Sequence, residues 1–270
     1  LKKETRRLVR WLERKGQKEF MVDLPVNRIW EALRKRLRPG FTVDLDSVST
    51  WYSNLGNYLI LIGESRGWED LRRGFEYRAL SIRVIAAFQE SGNYGYVSTA
   101  NLASWHSIAV AFGLDSFARW LGDRIIEGLA TRNGKYSLDP PSPYYLSFIQ
   151  FYALWRGSTF RISDHTSEPL GVYQNVLDSW HDESGYIDAA LKACDVRVEK
   201  MHDEDSFSEF LGAPQDLLPA EILMIRRIRE DLGLPNPEID HPLMQTPLGN
   251  APKTLPEVKD ELLEKVIAKA

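Results

Sequence analysis

TVDLDSVSTWYSNLGNYLILIGESRGWEDLRRGFEYRALSIRVIAAFQ, residues Thr42–Gln89, decides the fold class. Its first seven residues alternate in the manner of a short strand, yet Asp44 or Asp46 can equally cap a helix. The longer spacing settles the matter. Val48, Trp51, Leu55, Tyr58, Leu59 and Ile62 recur at steps of three and four, which predicts one helix through Arg66. Gly67 breaks the pattern, and Trp68–Gln89 resumes it with Leu71, Phe75, Leu80, Ile82 and Ile85.

Working outward, the same period dominates. Residues 4–20 place Leu8, Trp11 and Leu12 on one face among charges. Pro25 interrupts, and Val26–Leu37 carries Ile29, Trp30, Leu33 and Leu37 until Pro39-Gly40. Downstream, GNYG at 92–95 and RNGK at 132–135 predict turns. Between them, Ser98 or Thr99 caps a helix through Phe112, Gly113 ends it, and Asp115 opens another through Leu129. Gly122 and Gly128 fall inside that second helix and read as close-packing sites. Pro143 opens a helix to Trp155. Tyr145, Phe148, Tyr152 and Trp155 have helical spacing there and read as core rather than as a pocket. Arg156–Pro169 is polar and irregular, so a long exposed loop is expected.

Leu170–Trp180, Ile187–Lys200 and Leu217–Leu232 are the next helices, with Asp216 as the cap of the third and Pro219 in its first turn. Residues 233–256 hold six prolines and must run largely extended. Leu234, Ile239, Leu243, Met244 and Leu248 would anchor this strap across helices, and His241 could bond a helix end. A charged helix over 256–270 closes the chain. The expected fold is all-α: about nine to eleven helices packed as antiparallel hairpins, with a proline-rich extended C-terminal strap. No fixed-period motif supports a solenoid. The chain reads as a single helical domain over 1–270, with basic N-terminal helices over 1–40 packed on or extending from the body.

Composition narrows the class. With 8 Trp, 11 Tyr and 11 Phe in 270 residues, the chain has the apolar load for a packed core. Cys194, the single cysteine, cannot form an internal disulfide, which favours a reducing, cytoplasmic setting. No apolar run approaches the ~18 residues of a membrane span, and no signal-peptide pattern opens the chain. The chain starts at Leu1, and a starting methionine, with or without further residues, is expected to have been removed. Residues 1–38 carry 13 Lys and Arg against 5 acids, whereas the rest carries 21 bases against 33 acids. An acidic body repels phosphates, so no direct nucleic-acid partner and no membrane partner are expected. The basic N-terminal stretch could touch nucleic acid, and a solvated helix face is its plainer reading.

The stretch WHDESGYIDAALKACDVRVEKMHDED, Trp180–Asp205, raises a question of chemistry. His181-Asp182 and His202-Asp203 resemble the two halves of a metal phosphohydrolase site. The helix between them is ~20 Å long at ~1.5 Å per residue, so the pairs cannot share one ion. Its stripe of Ile187, Ala190, Leu191, Cys194, Val198 and Met201 is expected to face the core, with no cation beside Cys194. Asp188, Lys192, Asp195 and Glu199 form a second stripe. With Asp182, Glu183, Asp203, Glu204, Asp205 and Glu209, they make nine acids against three bases over 181–210. This acidic ridge is expected either to be a solvated face or to dock a basic protein. His106, inside TANLASWHSIAVAF, reads as a structural histidine, and Asp164-His165 is a lone acid–base pair on the loop. No Gly-x-Ser-x-Gly and no phosphate-cradling glycine loop occurs. No catalytic residue, metal site or cofactor is assigned.

LLPAEILMIRRIREDLGL followed by DHPLM, together with LASWHSIAVAFGLDSFARWLGD and YQNVLDSWHDESGYIDAALKACD, resembles all-helical bacterial immunity proteins. These serve polymorphic-toxin, type VI secretion and contact-dependent systems. The resemblance spans most of the chain after about residue 45 and rests on apolar and proline positions, without a catalytic signature. It implies a cytoplasmic, non-enzymatic antitoxin whose partner is a cognate toxin domain. If that toxin were a basic nuclease, the acidic ridge would mimic a phosphate backbone. A metal-dependent hydrolase using His165, His181 and His202, and a helical scaffold or adaptor docking through residues 233–249, are the alternative expectations. Oligomeric state is not legible.

Overall fold

In the computed structural model, which describes residues 2–34, 40–92, 97–131, 136–137, 142–202 and 214–269, Thr42–Gln89 lies in two long helices. Among the described residues there are eleven α-helices: α1 (Lys2–Leu12), α2 (Leu24–Arg34), α3 (Phe41–Leu61), α4 (Gly67–Glu90), α5 (Thr99–Ala111), α6 (Asp115–Ala130), α7 (Pro143–Trp155), α8 (Val172–Asp178), α9 (Glu183–His202), α10 (Ala220–Asp231) and α11 (Glu261–Lys269). The fold is all-α as expected. The only extended pairing among the described residues is a two-residue parallel bridge, β1 (Val97–Ser98) to β2 (Tyr136–Ser137).

Several boundaries follow different physics from the expectation. The helix read over 4–20 stops at Leu12, and Gly16 at φ 74° turns the chain. Glu19–Asp23 then forms a π-helical turn that runs directly into α2. Pro25 does not interrupt α2; it is the second residue of that helix, directly after the π-helical turn. Asp44 and Asp46 do not cap α3, whose N-cap position is Gly40. Both carboxylates lie inside the helix and take cations instead: Asp44 accepts from Arg28 at 2.5 Å, and Asp46 pairs with Arg78. Asp216 does not cap α10, whose N-cap position is Pro219, and instead accepts from Arg7 at 2.5 Å.

The chain groups into two compact units. The first comprises Leu1–Gly95, Gly212–Leu217 and Leu255–Ala270; the second comprises Tyr96–Leu211 and Leu218–Thr254. In the first unit, Ile29, Phe41, Leu45, Val48, Tyr77, Leu80, Val84, Leu262, Leu263 and Val266 form a common core from α2, α3, α4 and α11. The α3–α4 hairpin brings backbone against backbone. A Cβ on Gly56 would lie 2.6 Å from the Leu71 amide nitrogen, and one on Gly74 would lie 2.6 Å from Ser53 Oγ. Ser49 donates to the Gly74 carbonyl at 2.7 Å across the same seam.

In the second unit the core is aromatic. Phe148 and Tyr152 of α7 are buried as the helical spacing predicts, but Tyr145 and Trp155, read as core with them, are only half-buried, and Tyr144 and Phe151 fill the core in their place. Gly122 is a close-packing site: a Cβ there would meet the Tyr152 ring at 2.5 Å. The polar stretch 156–169 is irregular apart from a 3₁₀ turn at Ile162–Asp164. The strap after α10 has no helix until α11, but it is extended only over 234–241 and then folds into successive turns over 242–250. Its anchors Ile239, Leu243, Met244 and Leu248 are buried, and Leu234 is half-buried.

Candidate functional site

α9 has two opposed faces, and both carry charge. Asp182 takes the first helical hydrogen bond, its carbonyl accepting from Tyr186 N–H at 2.9 Å, which makes it the N-cap. Asp182 and Glu183 are exposed at this positive end of the helix dipole, where carboxylates are favoured. Along the outer face Asp188, Lys192, Asp195 and Glu199 are all exposed. Among the described residues no lysine or arginine pairs with Asp188, Asp195 or Glu199. Asp203, Glu204, Asp205 and Glu209, the remainder of the expected ridge, lie outside the described residues.

Asp195 has a different partner. His241 of the strap points Nε2 at Asp195 Oδ1 at 3.2 Å. The His241 Nδ1 accepts the Leu243 amide at 3.1 Å, which leaves the ring proton on Nε2, facing the carboxylate. The strap thus reaches the edge of the acidic face.

The inner face of α9 corrects the expected apolar stripe. Tyr186, Ala189, Ala190, Ala193, Cys194 and Arg197 are buried, whereas Ile187, Leu191, Val198 and Met201 are only partly so. The helix is rotated by about one position from the expectation, which brings a guanidinium into the core. Arg197 donates to Glu221 Oε2 at 2.7 Å and to the Leu218 carbonyl at 2.7 Å, with both side chains wholly buried. The Tyr144 hydroxyl lies beside the pair and is pushed well above its ordinary pKa by burial and then by the Glu221 charge. Burial also pushes the Glu221 carboxyl up, against the opposing pull of Arg197. Cys194 therefore does have a cation on its face, one turn away. Burial and the Glu221 charge nevertheless push its thiol up to about 12, so it is an inert core residue.

A second buried cation, Arg229 of α10, has 1% of its surface exposed. It donates to the Trp180 carbonyl, and its Nε and Nη2 reach the Pro235 carbonyl at 3.2 and 2.7 Å. Its guanidinium lies 3.7 Å from the Tyr186 ring centroid and 5.3 Å from that of Trp180. One side chain thereby ties the start of the strap to the end of α8 and the first turn of α9. Asn236 donating to the Arg226 carbonyl at 2.8 Å and Lys253 pairing with Glu230 hold the strap along α10.

The histidines do not converge. His181 precedes α9 and His202 is its last residue, so a helix of 20 residues, about 30 Å long, separates them. His165 stacks on Phe160 with ring centroids 4.8 Å apart. His106 is buried edge-on against Tyr152 at 4.7 Å, and burial pushes it down to about 3, so it is neutral in the fold. The Tyr152 hydroxyl donates to Asp123 Oδ1 at 2.6 Å. Among the described residues no three His, Cys, Asp or Glu side chains come together as metal ligands.

Arg197, Glu221 and Arg229 were missed in the sequence. The usable signal was context: Glu221 stands alone within LLPAEILMI, with apolar residues on both sides. A carboxylate there must be buried, and a buried carboxylate requires a cation. Comparison of the chain with protein-family models, with curated proteins and with solved structures gave no match.

Proposed function

We propose that this chain is a binding protein of the immunity type, which neutralises a cognate secreted bacterial toxin domain by holding a basic surface of it against the outer face of α9. The observation that supports this reading is the line of Asp188, Asp195 and Glu199, exposed on a helix whose opposite face is pinned by Arg197 and Glu221. Charges presented on a rigid element need no ordering when a partner arrives, which lowers the entropic cost of association. They act mainly on encounter rate and partner choice. In this reading the protein works in the cytoplasm, carries out no reaction of its own and needs no cofactor.

The test is binding to the toxin domain encoded beside this chain's gene, measured by surface plasmon resonance between 50 and 500 mM salt. The expected result is an association rate that falls with salt, and a fall of at least about tenfold in the triple variant Asp188→Lys, Asp195→Lys, Glu199→Lys. Tight binding indifferent to both salt and charge reversal would refute the α9 face. Absence of binding, with no rescue of cells that express the toxin domain, would refute the immunity reading itself.

A further inference from the structure

Five arginines of the first unit are held in ion pairs. Arg7 pairs with Glu4 and Asp216, Arg28 with Asp44, Arg72 with Glu76, Arg73 with Asp70 and Asp260, and Arg78 with Asp46. Among the described residues no carboxylate pairs with Arg6, Arg10 or Arg14, and all three are exposed. Lys3, Arg6 and Arg10 fall within one narrow arc of α1 at ~100° per residue, and Arg14 is exposed two residues past the helix end. Arg10 Nε reaches back to the Arg6 carbonyl at 3.4 Å, along the same face. From Lys3 to Arg10 the stripe is ~10 Å long at ~1.5 Å per residue. The opposite face is already used: Leu8 is 2% exposed, and Trp11 packs on Trp51 with ring centroids 5.6 Å apart.

We propose that this stripe, Lys3, Arg6, Arg10 and Arg14 with Lys15 beside it, is a docking site for the phosphate backbone of a nucleic-acid duplex. Arginine dominates the line, and its planar fork suits phosphate oxygens. The stripe itself carries no aromatic ring on which a single-stranded base would stack. A bilayer fits less well. The apolar side of α1 is committed to the core and cannot insert. The exposed Phe20 and Leu24 beyond Gly16 stand beside Glu19 and Asp23, which an anionic lipid surface repels. The acidic remainder of the chain repels a duplex, and contacts to phosphates alone carry no sequence preference. This inference is independent of the toxin-binding reading, which concerns α9.

The experiment is fluorescence anisotropy of the full chain with a labelled 20-base-pair DNA duplex from 50 to 200 mM salt. Engagement of four to five phosphates gives a log–log salt slope of about −4, and affinity about 100- to 500-fold weaker at the high-salt end. The variant Arg6→Gln, Arg10→Gln, Arg14→Gln should flatten that slope by about 2.7. Its substitutions face solvent, and unchanged circular dichroism confirms its fold. A control variant, Arg161→Gln, Lys192→Gln, Lys259→Gln, removes the same charge from exposed positions elsewhere and should bind as the parent does. No duplex binding at 50 mM salt, equal losses in both variants, or binding to phosphatidylserine vesicles without binding to duplex would each overturn the proposal.

Discussion

Replacing Arg197 by methionine should be among the most damaging single changes available in the second unit. The variant leaves the Glu221 carboxylate without its cation at a site with no exposed surface, and leaves the Leu218 carbonyl without its 2.7 Å donor. Removing one partner of a buried pair costs about 3–5 kcal/mol, and the orphaned carbonyl places this case in the upper half of that range. Glu221→Leu should cost a similar amount, because it strands a buried guanidinium. The double variant Arg197→Met, Glu221→Leu strands no charge. What remains unmatched is the Leu218 carbonyl and the Tyr144 hydroxyl, about 1–3 kcal/mol together. The double variant should therefore be more stable than either single one, with a coupling of at least about 3 kcal/mol. The assay is urea unfolding at pH 7, followed by circular dichroism and tryptophan fluorescence, with all four proteins compared at one slope. A double-variant cost equal to the sum of the single costs within about 0.5 kcal/mol would refute the pairing.

Other expectations follow from the same geometry. His106 is neutral in the fold and pushed down to about 3, so the unfolded chain binds its proton first; stability present above pH ~6.5 is lost as pH falls toward 3, by about 2–3 kcal/mol at pH 4.5. His106→Leu should lack that loss, and an unchanged acid slope in paired unfolding curves would contradict the assignment. Gly74→Ala places a Cβ 2.6 Å from Ser53 Oγ and 2.9 Å from the Ser53 amide nitrogen, and should destabilise the first unit by about 1–3 kcal/mol in thermal melts; no loss would mean that the hairpin is looser than described. Arg229→Gln removes the donors from the Pro235 carbonyl, and amides over 236–244 should exchange faster while those of α5 stay protected. Uniform exchange across both would show that Arg229 is not a local tie.

Long apolar periods were legible in the sequence and short-range polar choices were not. The end of α4 near Gln89, the start of α6 at Asp115 and both ends of α7 follow directly from spacing, glycine and proline. Asp44 and Asp46 misled because a capping carboxylate and an ion-pairing carboxylate look alike until the cation is placed, and Arg28 and Arg78 arrive from other helices. The inner face of α9 misled for a different reason. Ala189, Ala190 and Ala193 carry little hydrophobic signal, so the eye follows Ile187, Leu191 and Val198, one position round the helix. Arg197 then reads as solvent-facing, and its partner lies 24 residues away. The acidic outer face was legible as charge in α9, since exposed carboxylates need no partner to be recognised.

The division of the chain carries a consequence for the order of events at the ribosome. The core of the first unit takes Ile29 and Phe41 from α2 and α3, upstream of the second unit, and Leu262, Leu263 and Val266 from α11, downstream of it. The second unit draws on nothing beyond Thr254. During vectorial synthesis the later-encoded unit can therefore close first, while α2, α3 and α4 wait with an unfinished apolar surface for α11 to emerge. A stop codon shortly before Glu261 would leave that surface permanently open. The nine residues of α11 decide whether the core of the first unit closes or leaves α2, α3 and α4 to chaperones and proteases.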